Sequence, residues 1–147
     1  MPPFPEPTHG EGKLPYKTVA DALSAVHSGM LNHDPETYPV YESRSYNPHR
    51  QVPCITAGGS RTAHPSGRSM TNREMAQCQG FPSTFGFVGC RTSVKTQIGN
   101  ALPPPFAKQL FKQVIKTLSE TDRAEANEAS LYGRGDSMTA PVDLTDD

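Results

Sequence analysis

The sequence contains no long apolar run and no cysteine pattern typical of a disulfide framework or a metal site. No stretch approaches the roughly 18 apolar residues of a membrane-spanning helix, and residues 1–5 lack the charge and apolar character of a secretion signal. The three cysteines, Cys54, Cys78 and Cys90, are an odd number at irregular spacing. We therefore expect no membrane span, no secretion and no metal site, and a reducing compartment.

Apolar residues are also scarce. Hydrophobic side chains make up 34% of the 147 residues, and counting glycine still leaves the share slightly below that of an ordinary globular domain. The length is typical of a single domain. Because the core must be thin and the 15 prolines are about twice the average share, we expect the chain to be only partly folded by itself.

The net charge of −1 conceals an uneven distribution. Residues 60–119 carry eight basic side chains and a single acid, Glu74, whereas residues 120–147 carry eight acids and two arginines. The basic segment is compatible with a nucleic-acid partner. The apolar period ends at about residue 120, so we expect residues 120–147 to form a disordered acidic tail.

Local signals predict four helical segments. Thr18 starts a short helix over 18–27, and Thr71 with Glu74 forms a capping box for a helix over 72–79. A third helical piece is expected around 94–100, and a last amphipathic helix opens at the prolines 103–105. The β-type pieces 38–41 and 52–56 predict one or two short strands between the first two helices.

Two sequence blocks resemble motifs of the DNA cytosine-5 methyltransferase family. Residues 68–87 (RSMTNREMAQCQGFPSTFGF) resemble its ninth motif, and residues 97–104 (QIGNALPP) resemble its tenth and last motif. Two further regions resemble the end of the target-recognition region (46–56 and 64–67) and the stretch after the eighth motif (4–10 and 16–23). The resemblance covers about residues 4–118 and is nearest to fungal members with a short recognition region.

This resemblance implies the C-terminal part of such an enzyme. The parent fold is a doubly wound α/β sheet that binds S-adenosylmethionine, of which this chain holds only part of the site. The chain itself is expected to be mostly short helices and loops with one or two short strands and disordered termini. Its expected organisation is an extended connector (1–16), a short helix with a reduced recognition-like region (17–67), the methyltransferase segment (68–119) and the tail (120–147).

The family's reacting groups are absent from the sequence. The glycine-rich donor turn, the Pro-Cys-Gln nucleophile loop, the Glu-Asn-Val strand and the Gln-x-Arg-x-Arg strand do not occur. Pro53-Cys54 is followed by Ile55 and lies just before the ninth-motif block, where the family has no catalytic cysteine. We expect no catalytic residue, no methyl transfer by the chain alone, and a missing N-terminal catalytic segment as its partner.

The resemblance assigns supporting roles to named residues. Asn100, Ala101 and Leu102 are the candidates for one wall of the S-adenosylmethionine site, the alternative being that Gly99-Asn100 is only a left-handed helix stop. DNA phosphates are the expected partners of Arg61, His64 and Arg68, with a solvated basic loop as the alternative. Structural support, including the helix cap, is expected from Thr71, Arg73, Glu74 and Gln79.

Two functions from other classes remain open. One is a non-catalytic DNA-binding module that uses the basic segment, and the other is a nuclear protein-interaction fragment. Val142, Asp143 and Leu144 resemble a SUMO-interacting motif, in which a short apolar strand joins a sheet edge beside acidic residues. DNA as the partner places the protein in the nucleus.

Overall fold

The computed structural model of the chain describes residues 2–40, 45–52, 54–57 and 63–132. It divides into two compact units, one of residues 6–108 and one formed by residues 1–5 and 109–147. Its helices are α1 (Val19–Leu23), a 3-10 helix (Pro35–Thr37), α2 (Asn72–Cys78), α3 (Arg91–Asn100) and α4 (Pro104–Tyr132). All except the C-terminal part of α4 lie in the first unit.

Capping boxes define where the first two helices begin. At α1 the Thr18 hydroxyl accepts from the Asp21 N–H, while the Asp21 carboxylate accepts from the Thr18 N–H; Thr71 and Glu74 do the same at α2. The predicted start and extent of α2 are confirmed to within one residue. Helix α1 ends at Leu23, earlier than the predicted residue 27, with Ser24 as its C-cap.

The expected short strands are absent from the described residues, which form only isolated bridges such as Val40 with Arg68 and Ala63 with Ser69. The prediction of one or two strands is wrong for this part of the chain. Both predicted segments contain a proline, Pro39 or Pro53, which has no N–H to donate to a ladder. Pairing along 38–40 accordingly stops at a single bridge.

The first unit has a small apolar core around α2. Met75 and Ala76 of α2 are buried against side chains from α1, α3 and the connecting segments. The buried apolar residues are Val19, Ile55, Met70, Met75, Ala76, Phe81, Phe87, Val94 and Ile98. After α2, the rings of Phe81, Phe85 and Phe87 pack edge-on or tilted with centroids 4.9–5.2 Å apart. The core is thin, as the composition predicts.

Two glycines permit close approaches that hold this unit together. A Cβ at Gly99, within α3, would lie 2.3 Å from the backbone nitrogen of Ala57 and 2.5 Å from the carbonyl carbon of Thr56. A Cβ at Gly80 would lie 2.6 Å from Cγ of Pro105, and Gly80 also has a φ of +80°. Any larger side chain at either position would push these segments apart.

The second unit is dominated by the C-terminal part of α4, which extends to Tyr132. Residues 120–132 are therefore helical, whereas a disordered tail was expected from residue 120 onwards. This stretch contains no glycine or proline and is rich in alanine and glutamate, and Lys116 pairs with Glu120 one turn later at 3.9 Å. The rest of the predicted tail, residues 133–147, lies outside the described part of the chain.

The apolar residues of α4 in this unit remain largely in contact with solvent. Phe111, Ile115 and Leu118 are each more than half exposed. Among the described helices none combines the length and the apolar character needed to cross a bilayer.

Replacing Gly99 by alanine tests the close approach at α3. Helix propensity alone would make alanine more stable by about 1 kcal/mol. We expect the opposite, a loss of about 1–3 kcal/mol in the free energy of unfolding, because the added methyl group collides with backbone atoms of Thr56 and Ala57. Chemical denaturation of the two proteins measures the difference.

Gly86→Ala is the matched control, since its Cβ would meet only Cδ2 of Leu31 at an ordinary 3.8 Å. This change should alter the free energy of unfolding by less than about 1 kcal/mol. An alanine at position 99 that leaves stability unchanged or raises it would show that the segments do not meet there.

Candidate functional site

A buried ion pair lies at the start of α2, within the segment that resembles the ninth motif. The Glu74 carboxylate accepts two hydrogen bonds from the Arg68 guanidinium, each 2.7 Å long, and one from the Thr71 N–H at 2.8 Å. The side chains of Arg68 and Glu74 are only 11% and 4% exposed. This fork geometry satisfies both carboxylate oxygens and fixes the segment before α2 to its first turn.

Two histidines extend this network to other segments. Nδ1 of His33 lies 3.0 Å from Oγ1 of Thr71, and Nε2 of His64 lies 3.8 Å from Oε1 of Glu74. His33 belongs to the segment after α1, and His64 to the turn that ends at Arg68. The capped start of α2 thus joins two stretches of the recognition-like region.

The charges of this network follow from its surroundings. Burial favours the neutral form of Glu74, but the hydrogen bonds from Arg68 and from the Thr71 N–H, with the charge of Arg68, hold its pKa below the ordinary 4.5. Burial lowers the pKa of His64 from 6.5, partly opposed by Glu74. At neutral pH the network therefore contains a charged Arg68–Glu74 pair and an uncharged His64.

Arg73 joins two further loops through backbone carbonyls. Arg73 is only 1% exposed. Its Nε donates to the Leu31 carbonyl and its Nη2 donates to the Phe85 carbonyl, each at 2.9 Å. Its own backbone N–H donates to the carbonyl of Asn32, a residue with a φ of +66°. Arg73 therefore connects the loop before the 3-10 helix to the aromatic loop after α2 through one guanidinium.

Two amide side chains connect α2 to α3. Nε2 of Gln79 donates to the Ile98 carbonyl at 2.9 Å, and Nδ2 of Asn72 donates to the Arg91 carbonyl at 2.8 Å. Sequence reasoning selected Gln79 but missed Asn72, which is 3% exposed. The only signal at Asn72 is a polar residue directly after a helix cap, and it does not identify a carbonyl 19 residues away.

Asn100, Ala101 and Leu102 form an open edge at the end of α3. Asn100 is exposed, Ala101 is extended with its N–H donating to the Ile98 carbonyl at 3.3 Å, and Leu102 is 49% exposed. The alternative of a left-handed helix stop is wrong, because neither Gly99 nor Asn100 has a positive φ. The absence of a side chain at Gly99 instead allows the backbone of residues 56–57 to lie close to α3.

This edge fits one wall of a donor site but not a whole one. The Asn100 amide makes no hydrogen bond within the described residues, so it can both donate to and accept from a bound group. None of the three residues is buried.

Two of the three residues selected for DNA phosphates, His64 and Arg68, lie within the described part of the chain and are largely buried. The Arg68 donors are used by Glu74 and by the Ser69 carbonyl, which is 3.0 Å away, and the His64 side chain is 22% exposed. Arg61 lies outside the described residues. Contact of these three with DNA stays a prediction. Within the described ranges, no three His, Cys, Asp or Glu side chains come together to hold a metal ion.

Glu74→Gln tests the ion pair at α2. We expect the free energy of unfolding at pH 7 to fall by about 3 kcal/mol, because the buried Arg68 loses its counter-charge. In the parent chain the lowered pKa of Glu74 contributes stability above pH 4.5 that is lost as the pH falls below that value, and the variant lacks this part of the acid transition. Denaturation at a series of pH values measures both effects.

Glu36→Gln makes the same charge change at an exposed position in the 3-10 helix. It should change the free energy of unfolding by no more than about 0.5 kcal/mol. Equal losses in the two variants, or an unaltered acid transition in Glu74→Gln, would contradict the role given to the pair.

Comparison with known proteins finds one matching family model and several similar proteins. The sequence model of the family described as C-5 cytosine-specific DNA methylase matches residues 14–116. The type II methyltransferase M.NgoFVII of Neisseria gonorrhoeae is 38% identical over 94 residues, which cover 63% of this chain and 24% of that protein. DNA (cytosine-5)-methyltransferase 1 of Mus musculus is 37% identical over 70 residues, covering 47% of this chain and 4% of that protein.

A third relative, M.BbvI of Brevibacillus brevis, is 35% identical over 85 residues, which are 54% of this chain and 23% of that protein. The chain thus spans about a quarter or less of the length of these relatives. No solved structure matches it at a comparable level of significance. The family match covers more than half of the chain, including the whole α2 network and α3. The chain belongs to the C-5 cytosine-specific DNA methylase family.

Proposed function

We propose that the chain acts as the C-terminal part of a DNA cytosine-5 methyltransferase. The observation that carries this proposal is that the family match, over residues 14–116, coincides with the unit built around α2, whereas the Pro-Cys-Gln and Glu-Asn-Val sequences of the family are absent. The reacting cysteine and its acid partner then belong to a catalytic segment outside these 147 residues. That segment is the first partner of the chain, and DNA is the second.

The proposed role of the α2 network is to hold the recognition-like region, residues 17–67, in place. Thr71 contacts His33 of this region, and Glu74, which is paired with Arg68, lies beside His64. Arg73 supports the same region through the Leu31 carbonyl. Loss of any of these contacts would free a loop of the recognition-like region without touching a reacting group. This explains why so many polar side chains are buried in so small a unit.

The proposed contact with S-adenosylmethionine is made by Asn100, Ala101 and Leu102. When bound, this donor supplies the methyl group for the reaction. Asn100 offers an amide with no other partner among the described residues, and Leu102 offers half-exposed apolar surface beside it. The exposed apolar residues of α4, Phe111, Ile115 and Leu118, are the proposed surface for the catalytic segment.

Three earlier expectations stay predictions under this proposal. These are the nuclear location, the resemblance to fungal members and binding of SUMO by the segment from Val142 to Leu144, which lies outside the described residues. The basic segment supports non-catalytic DNA binding as the second candidate function.

Methyl transfer to DNA tests the proposed function. The chain alone should transfer no methyl group from radiolabelled S-adenosylmethionine to DNA that contains cytosine. A fusion in which residues 14–118 replace the matching region of M.NgoFVII should restore transfer that the truncated relative lacks. In that fusion, Asn100→Ala should raise the KM for the donor by about tenfold, which corresponds to the loss of one hydrogen bond.

Transfer by the chain alone would contradict the assignment of the reacting groups to another segment. A fusion that folds and binds DNA but transfers nothing would contradict the role as the C-terminal part. That result, together with DNA binding by the chain alone, would favour the non-catalytic candidate.

A further inference from the structure

Two neighbouring clefts in the first unit form one continuous trough. The larger has a volume of about 770 Å³ and the smaller about 580 Å³, and both are lined by Tyr16, Thr18 and Gln51. Since they share these residues, we treat them as one surface, the Tyr16 trough. It runs from residues 9–18 along the start of α1 to the turn at 46–51.

The walls of the trough are fixed by backbone hydrogen bonds. The N–H groups of Val19 and Ala20 donate to the carbonyls of Arg50 and Pro48, both at 2.9 Å. The Tyr46 hydroxyl donates to the Gln51 carbonyl at 2.5 Å. The turn that carries Arg50 is therefore attached to α1. The backbone that bears the Arg50 side chain is held in place by these hydrogen bonds.

Two cationic side chains and one carboxylate are the charged groups described in the lining of the trough. Lys17 and Arg50 are exposed and form no salt bridge with any described residue. The pKa of Asp21 is lowered mainly by the hydrogen bonds from Thr18 and to a smaller extent by the charge of Lys17. Among the described residues of the lining, Asp21 is the one acidic side chain, and its Oδ2 accepts from the N–H and hydroxyl of Thr18 at 2.8 and 2.7 Å. His9 and His49 add two imidazoles.

Two further groups in the lining suit a nucleic acid. The Tyr16 ring is 59% exposed, so it offers a flat surface to a sugar or a base. The side-chain nitrogen of Gln77 is buried and has no acceptor among the described residues. Gln77 is one of the residues that line the larger cleft.

We propose that the Tyr16 trough binds the sugar-phosphate backbone of DNA, with Lys17 and Arg50 on phosphates. This inference rests on the proposed function, which supplies DNA as the substrate. It moves the DNA contact away from His64 and Arg68, because Glu74 occupies the guanidinium of Arg68 and burial keeps His64 uncharged. Lys17 and Arg50 have no such competing partner. Their contacts would position the duplex and carry no sequence readout.

Binding of a labelled duplex to the full 147-residue chain, followed by fluorescence anisotropy at several salt concentrations, tests this proposal. The variant Lys17→Gln with Arg50→Gln removes both trough cations. We expect it to weaken binding at least tenfold at roughly 0.05 M salt, and to reduce the slope of log K against log salt by about 1.8, or 0.9 for each lost phosphate contact. Circular dichroism checks that the variant keeps its helices.

The control variant, Lys108→Gln with Lys112→Gln, makes the same charge change on α4, where both lysines are exposed and unpaired within the described residues. It should bind within about twofold of the parent chain. Equal losses in the two variants would show that only the total charge matters and would overturn the trough. Absence of binding by the parent chain would overturn it as well, whereas the proposed function is decided separately by the transfer assay.

Discussion

The pairing of Arg68 with Glu74 at the first turn of α2 is the constraint on which the first unit depends. A carboxylate that is 4% exposed is costly to bury unless its oxygens are fully used, and here one guanidinium and one backbone N–H use them. Removing either partner would leave an uncompensated buried charge, so the two side chains depend on each other. In a unit with few buried apolar residues, this pairing decides where the connecting loops lie.

The same helix shows what local sequence can and cannot predict. The cap of α2 was predictable because Thr71 and Glu74 are three residues apart and bond to each other. The partners of Arg73 are backbone carbonyls at positions 31 and 85, which carry no residue-type signal. Gly99 looked like a helix stop because its true neighbour, the backbone of residues 56–57, is distant in sequence.

At the C-terminal end the errors had a different origin. The apolar period of α4 ends near residue 120, but helix propensity continues to Tyr132 without it. Periodicity reports which face packs, not whether the backbone is helical. The strand prediction failed for a different reason. The two segments predicted as strands, 38–41 and 52–56, each contain a proline, which cannot donate a hydrogen bond to a neighbouring strand. The family resemblance was stronger than any of these signals because several separate segments agreed in order.

The supporting residues of this chain suggest a division of labour with the rest of the enzyme. One surface, the Asn100 edge, is the proposed contact for the methyl donor, and another, the Tyr16 trough, is the proposed contact for the DNA backbone. The Cys78 thiol lines the trough, but burial raises its pKa to about 12, so it is uncharged at neutral pH. Both surfaces are held by the contacts of α2 and α1. Under the proposed function, the unit is a scaffold for two ligands whose chemistry takes place on another segment.

Amide hydrogen exchange tests most directly whether the start of α2 organises the unit. The N–H of Thr71, which donates to Glu74, and the N–H of Arg73, which donates to Asn32, should exchange only on unfolding of the whole unit, as slowly as those of Val94 and Ile98. The N–H groups of residues 119–132 should exchange orders of magnitude faster. Exchange at Thr71 and Arg73 as fast as at residues 119–132 would contradict this account.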